Sequence, residues 1–154
     1  MKHWLFKSEP GAFSYADLEA SQNRTTGWDS IRNYQARNMM RDEMSVGDPV
    51  LFYHSQTGKP AVVGVAEVVF TPYPDPTQFD PDSRYFDAKA TLEAPRWFQV
   101  DIRALRPLER PVTLAELRNV DELGGMYLLR RGNRLSIQPV TEREFRYVLS
   151  LAAG

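Results

Sequence analysis

The run Val62-Val63-Gly64-Val65-Ala66-Glu67-Val68-Val69 is apolar on both of its alternating faces. A strand of that kind is stable only where something covers each side of its sheet, which excludes an open sheet with one wet face and suits a closed barrel with a helix outside it. Residues 50–54 are equally rich in β-branched and aromatic side chains, and Ser55-Gln56-Thr57-Gly58-Lys59-Pro60 between the two runs has the chemistry of a hairpin connection. Residues 50–54 and 61–70 are therefore predicted to form a central β-hairpin.

The rest of the chain supplies what covers it. Residues 3–7 read as an opening strand carrying Trp4, Leu5 and Phe6, stopped by Pro10 and Gly11. Ser14 with Asp17 three residues on is a capping signal, and the helix it opens carries Tyr15, Leu18 and Glu19 until the polar run 21–27. A second helix is predicted over 30–44, with Asn33, Arg37 and Arg41 on one face and Ala36, Met39, Met40 and Met44 elsewhere, until Gly47-Asp48-Pro49 breaks it. Pro72, Pro74, Pro76 and Pro81, interspersed with Asp75, Asp80 and Asp82, make a stiff irregular loop of the length that usually carries function. Residues 98–102 alternate as a strand, Thr113 with Glu116 caps a short helix, and 135–140 form a last strand. Thr141 with Glu144 then opens a C-terminal helix through Leu151. This order lacks the strict βαβα alternation of a parallel sheet, so the fold class is α+β built on a small barrel. At 154 residues the length suits one core, and a single domain over 1–154, monomeric or weakly dimeric, is expected.

Charge and composition remove several function classes. With 19 Lys plus Arg against 20 Asp plus Glu, the net charge of −1 provides no global basic field, so any nucleic-acid site must be local. The absence of cysteine excludes thiol nucleophiles, zinc ribbons and iron–sulfur centres, and the two histidines, His3 and His54, are too far apart in sequence to suggest a metal site. No cofactor is expected: the glycines form neither a dinucleotide fingerprint nor a P-loop. No apolar run approaches the length of a membrane helix and residues 4–6 are too short for a signal peptide, so a cytoplasmic protein is expected.

What remains is a concentration of aromatic and polar residues: Trp4, Lys7, Ser8, Glu9, Trp28, Asp29, Arg32, Asn33, Tyr34, Gln35, Arg37, Asn38, Tyr53, His54 and Ser55. Each has an ordinary structural use. Trp28 can be core, Asn33, Arg37 and Asn38 a solvated helix face, and His54 a hydrogen-bonded strand end. The functional use is a pocket in which an aromatic face stacks on a planar base while Asn, Ser and backbone groups read its edge and Arg or Lys meets the phosphates. One or two such stacks, each worth about 1–3 kcal/mol, could hold a single extruded nucleotide.

Read together, Trp4-Leu5-Phe6-Lys7-Ser8-Glu9-Pro10, residues 28–38 from Trp28-Asp29-Ser30-Ile31-Arg32 onward, Gly47-Asp48 and Phe52-Tyr53-His54-Ser55 resemble the EVE-domain family, which includes the thymocyte nuclear protein group. Gly64-Val65-Ala66-Glu67, Tyr73-Pro74-Asp75-Pro76-Thr77, residues 97–101 and Leu135-Ser136-Ile137-Gln138-Pro139-Val140 extend the match to nearly the whole chain. The resemblance implies a PUA-like mixed β pseudo-barrel surrounded by helices, related to YTH and ASCH domains, whose members bind modified bases of DNA or RNA beside the barrel. Carried over by position, the base pocket comprises Lys7, Ser8, Trp28, Asn33, Tyr53, His54 and Ser55. Arg37 and Arg134 then stand nearer the nucleic-acid backbone, and the loop through Tyr73 and Phe79 forms the rim. Phe145 stands where relatives are expected to have Trp, a matter of packing in the last helix. The resulting expectation is a non-catalytic reader of a modified base. Its rival is an ASCH-like amidohydrolase acting on modified nucleosides, with Lys7, Ser8 and Glu9 or Glu67 as nucleophile, hydroxyl and acid/base.

Overall fold

The structure, a computed structural model, describes residues 1–154 with the side chain of Thr71 excepted. Six strands make one sheet: β1 (His3–Ser8), β2 (Thr25–Gly27), β3 (Pro49–His54), β4 (Ala61–Pro74), β5 (Phe98–Thr113) and β6 (Ile137–Val140). Their order is β2-β5-β4-β3-β1-β6, with β1 and β3 parallel and every other pair antiparallel. The sheet curls into an open pseudo-barrel whose two edge strands are β2 and β6. The helices are α1 (Tyr15–Ala20), α2 (Tyr34–Asn38), α3 (Leu114–Arg118) and α4 (Glu142–Ala153).

The two apolar faces of the central run meet two separate cores. Ala66 and Val68 face an inner core with Trp4, Phe6 and Phe52 of the neighbouring strands, Leu18 of α1, and Ala36 and Met40 beyond it. Val62 and Val65 face an outer core with Leu117 of α3 and Phe145, Val148 and Ala152 of α4. Strict alternation would put Val62, Ala66 and Val68 on one side; register shifts between Val62 and Gly64 and between Val65 and Ala66 interrupt it, and the strand changes faces. Gly64 lies under the ring of Tyr15, where a Cβ would come within 2.4 Å of a ring carbon. The Tyr15 hydroxyl donates to the carbonyl of Val65 at 2.7 Å, and burial is the main reason its pKa is pushed up to about 12.

Both capping boxes form as expected. The Ser14 and Thr141 side chains accept from the backbone of Asp17 and Glu144, whose carboxylates return to the cap N–H groups. The helix predicted over 30–44 is shorter and differently built. Asn33 caps α2, its side chain accepting from the Ala36 N–H at 3.0 Å, and a π-helical turn, Met39–Glu43, carries the chain on to Met44. Residues 30–32 stay outside the helix because Ser30 takes a positive φ of 68° and Arg32 reaches into the long loop. Strand β2 falls in what read as a polar run, and β4 and β5 outrun their expected ends, at residues 70 and 102, to Pro74 and Thr113. Among the described residues no helix is long and apolar enough to cross a membrane.

Candidate functional site

A cleft of about 570 Å³ opens where the barrel fails to close, with Thr26 and Gly27 of β2 on one side and Lys7 and Ser8 of β1 and Ser136 beside β6 on the other. The chain crosses the gap through Trp28-Asp29-Ser30-Ile31, and Arg84 and Tyr85 of the long loop form the opposite wall. An adjoining cleft of about 500 Å³ shares Lys7, Glu9 and Ser136 with the first and adds Ser55, Gln56, Asn133 and Arg134. Lys7 therefore stands at the junction of the two.

Trp28 is both core and wall. The residue is 9% exposed and its ring packs at 5.3 Å from Phe6, 5.7 Å from Phe52 and 6.2 Å from Phe13, while the same residue lines the cleft. The other two tryptophans spend their indole N–H on carboxylates, Trp4 on Asp48 at 3.0 Å and Trp97 on Asp87 at 2.8 Å. Among the described residues Trp28 has no such acceptor, and its N–H is not among the fully buried unpartnered atoms. It is the tryptophan with a polar edge to spare.

The segment carrying Trp28 is clasped to the loop. Asp75, whose side chain is 0% exposed, accepts from the Ser30 N–H at 2.7 Å, Arg32 at 3.1 Å, and the Thr77 N–H and hydroxyl at 2.8 and 2.6 Å. Arg32 donates further to the Tyr85 carbonyl at 2.6 and 3.1 Å and to the Thr77 hydroxyl at 2.9 Å, with its guanidinium 5.2 Å from the Trp97 ring centroid. One buried carboxylate and one planar cation thus hold two walls in register, the geometry a guanidinium fork supports and an ammonium does not.

The structure brings Lys7, Ser8 and Trp28 into the main cleft, and Ser55 and Arg134 into the adjoining one. Lys7 donates to Asn133 at 3.1 Å, and burial lowers its pKa from the ordinary lysine value; the Ser8 hydroxyl donates to the Phe13 carbonyl. The remaining expected site residues lie elsewhere. Asn33 is used as the α2 cap. Tyr53 faces the outer core, where burial raises its pKa. His54 accepts the Tyr15 N–H on Nε2 at 3.0 Å, and burial lowers its pKa, so its neutral form is a structural acceptor. Arg37 donates to the Arg96 carbonyl at 2.8 Å, fastening α2 to the loop. Tyr73 stands behind β2 rather than on the rim, donating to Asp101 and accepting from Gln99, and burial followed by the bond to Asp101 pushes its pKa up to about 12. Phe79 is likewise absent from the cleft lining, where Arg84 and Tyr85 stand instead.

Among the described residues no group of acidic and histidine side chains could hold a metal ion.

A model described as the EVE domain matches residues 2–151. Human thymocyte nuclear protein 1 is 40% identical over 97% of this chain and 73% of its own length. A hypothetical protein from Leishmania major superposes with a TM-score of 0.91 at 48% identity, covering 99% of this chain and 95% of that one. The human THYN1 protein in complex with 5-methylcytosine-containing DNA superposes with a TM-score of 0.92 at 40% identity, covering 100% of this chain and 99% of that one. An ASCH protein from Zymomonas mobilis, at 14% identity and a TM-score of 0.54, shares the fold alone.

Proposed function

The chain belongs to the EVE-domain family, and from this we infer that it is a non-catalytic reader of a modified base in DNA or RNA, with the base held in the cleft against Trp28. The observation that carries the reading is a nearly buried indole that also walls a cleft whose volume falls within the ordinary range for small-ligand sites. The human relative's complex with 5-methylcytosine-containing DNA supports a methylated cytosine as the first base to try. The positive charges of Arg134 and of Lys7, which the adjoining cleft shares with the base pocket, support contacts to backbone phosphates there. The whole chain acts as one cytoplasmic domain, monomeric or weakly dimeric. Its two cores lie on opposite faces of one sheet, so heating should give a single calorimetric transition, and two separated peaks would contradict a single domain.

Tryptophan-fluorescence titration with short oligonucleotides tests the function. A strand carrying one 5-methylcytosine should bind more tightly than the same strand with cytosine. Two phosphate contacts imply a log–log salt slope of only about −1.4 on single strands. Equal affinity for the two strands, or tight binding of unmodified duplex that persists at high salt, would overturn the reading.

The amidohydrolase alternative lacks a built catalytic set. Glu67 is ion-paired with Arg103 and does not line the cleft, the Ser8 hydroxyl points its proton at a backbone carbonyl, and Glu9 stands at the exposed mouth. Turnover of modified nucleosides followed by chromatography would reinstate it.

A further inference from the structure

We propose that Asp29 accepts a hydrogen bond from the exocyclic amino group of the bound base, so that the cleft selects amino-bearing bases of the cytosine or adenine kind over the keto bases thymine and uracil. The proposal rests on the reader function above and names what that site takes.

Asp29 follows Trp28 directly and lines the same cleft. It forms no ion pair among the described residues: Lys7 is engaged with Asn133, and the Arg84 guanidinium lies 5.3 Å from the Tyr85 ring centroid. The Asp29 Oδ1 accepts the Ser30 hydroxyl at 3.0 Å, which orients the carboxylate and leaves Oδ2 without a donor among the described hydrogen bonds. An ionised carboxylate is an acceptor only. A base amino group can donate to it, whereas a keto oxygen in the same place would set acceptor against acceptor. The Asp29 carboxylate disfavours phosphate beside Trp28, whereas the adjoining cleft sets the cations Lys7 and Arg134 against the single carboxylate of Glu9, so the backbone is better accommodated there.

Backbone strain at the next residue supports a functional placement. Ser30 has a φ of 68°, in the left-handed region that glycine adopts freely and serine does not. Strained non-glycine residues persist where the surroundings hold them, and they cluster at ligand sites. Here the restraint is the buried Asp75, which takes the Ser30 N–H at 2.7 Å. Glycine would relieve the strain; what serine adds is the hydroxyl that orients Asp29.

The test compares strands identical except for 5-methylcytosine or thymine at one position. The two bases share a ring size and a 5-methyl group and differ in the amino or keto group at position 4 and the adjacent ring nitrogen. The wild-type protein should prefer 5-methylcytosine by roughly 10- to 150-fold, the range for one hydrogen bond to a charged group. Asp29→Asn, which presents a donor as well as an acceptor, should lose most of that preference with an unchanged thermal midpoint, because Asp29 is exposed. Ser30→Gly should weaken the preference while leaving the fold intact. Equal wild-type binding of 5-methylcytosine and thymine, or an Asp29→Asn protein that keeps the full preference, would overturn this assignment while leaving the reader function standing, provided 5-methylcytosine is still preferred to cytosine. Failure to bind any of the three strands would overturn both.

Discussion

Replacing Arg32 by methionine should lower the unfolding free energy by about 3 kcal/mol, toward the low end of the range for breaking a buried ion pair. Asp75 has a 0% exposed side chain, so removing the guanidinium strands a carboxylate that water cannot reach, while the Ser30 and Thr77 donors still offset part of its charge. The Tyr85 carbonyl loses both of its guanidinium donors in the same change. Methionine keeps an apolar stem beside Trp97, so the loss reports the clasp more than the packing. Urea unfolding measures it, and the double variant Arg32→Met/Asp75→Asn should recover part of the loss because the stranded charge is gone. A loss well under 1 kcal/mol would mean that the pair behaves as an exposed salt bridge. Base affinity should fall as well, since Tyr85 and Ser30 belong to the two walls that Arg32 ties together.

That clasp marks the boundary of what could be read along the chain. Helices α1 and α4 were legible because a capping box is a local device, complete within four residues. The β3–β4 hairpin was legible because its apolar residues and its turn residues are adjacent in sequence. The helix expected from residue 30 fails for a distant reason: Asp75, forty-five residues away, takes the Ser30 N–H and holds it in a left-handed turn. Strand β5 outruns its expected end because register shifts along β4 and β5 accommodate Pro107 opposite Gly64, a long-range adjustment that alternation within residues 98–102 does not signal.

The site was legible in part for the same reasons. Lys7, Ser8 and Trp28 share the open seam of the barrel, but Tyr53 and His54 are adjacent on one strand and point to opposite faces, so a single wall could not use both. Arg84 and Tyr85 lie in an aperiodic stretch where spacing carries no signal. The cue that could have found them is Arg32, a charged residue beside the aromatic block that needed a partner to hold.

Trp28→Ala should have two effects that can be separated. The residue is 9% exposed and its ring packs among Phe6, Phe13 and Phe52, so its removal should cost about 3–5 kcal/mol of stability through lost burial and a cavity. Against a typical total of about 5–15 kcal/mol, that leaves a folded population at low temperature that can be titrated. Once affinity is corrected for that fraction, the variant should still bind a modified strand about 1–3 kcal/mol more weakly, the worth of one base–aromatic stack. Trp4 is the matched control. It is 1% exposed, donates its indole N–H to Asp48, and does not line the cleft, so Trp4→Ala should be destabilised to a similar degree while its folded fraction binds like the wild type. Trp28→Phe should fall between, keeping much of the cluster and losing part of the stack. If the folded fraction of Trp28→Ala instead binds like the wild type, Trp28 is packing alone and the cleft loses the aromatic wall on which base recognition depends.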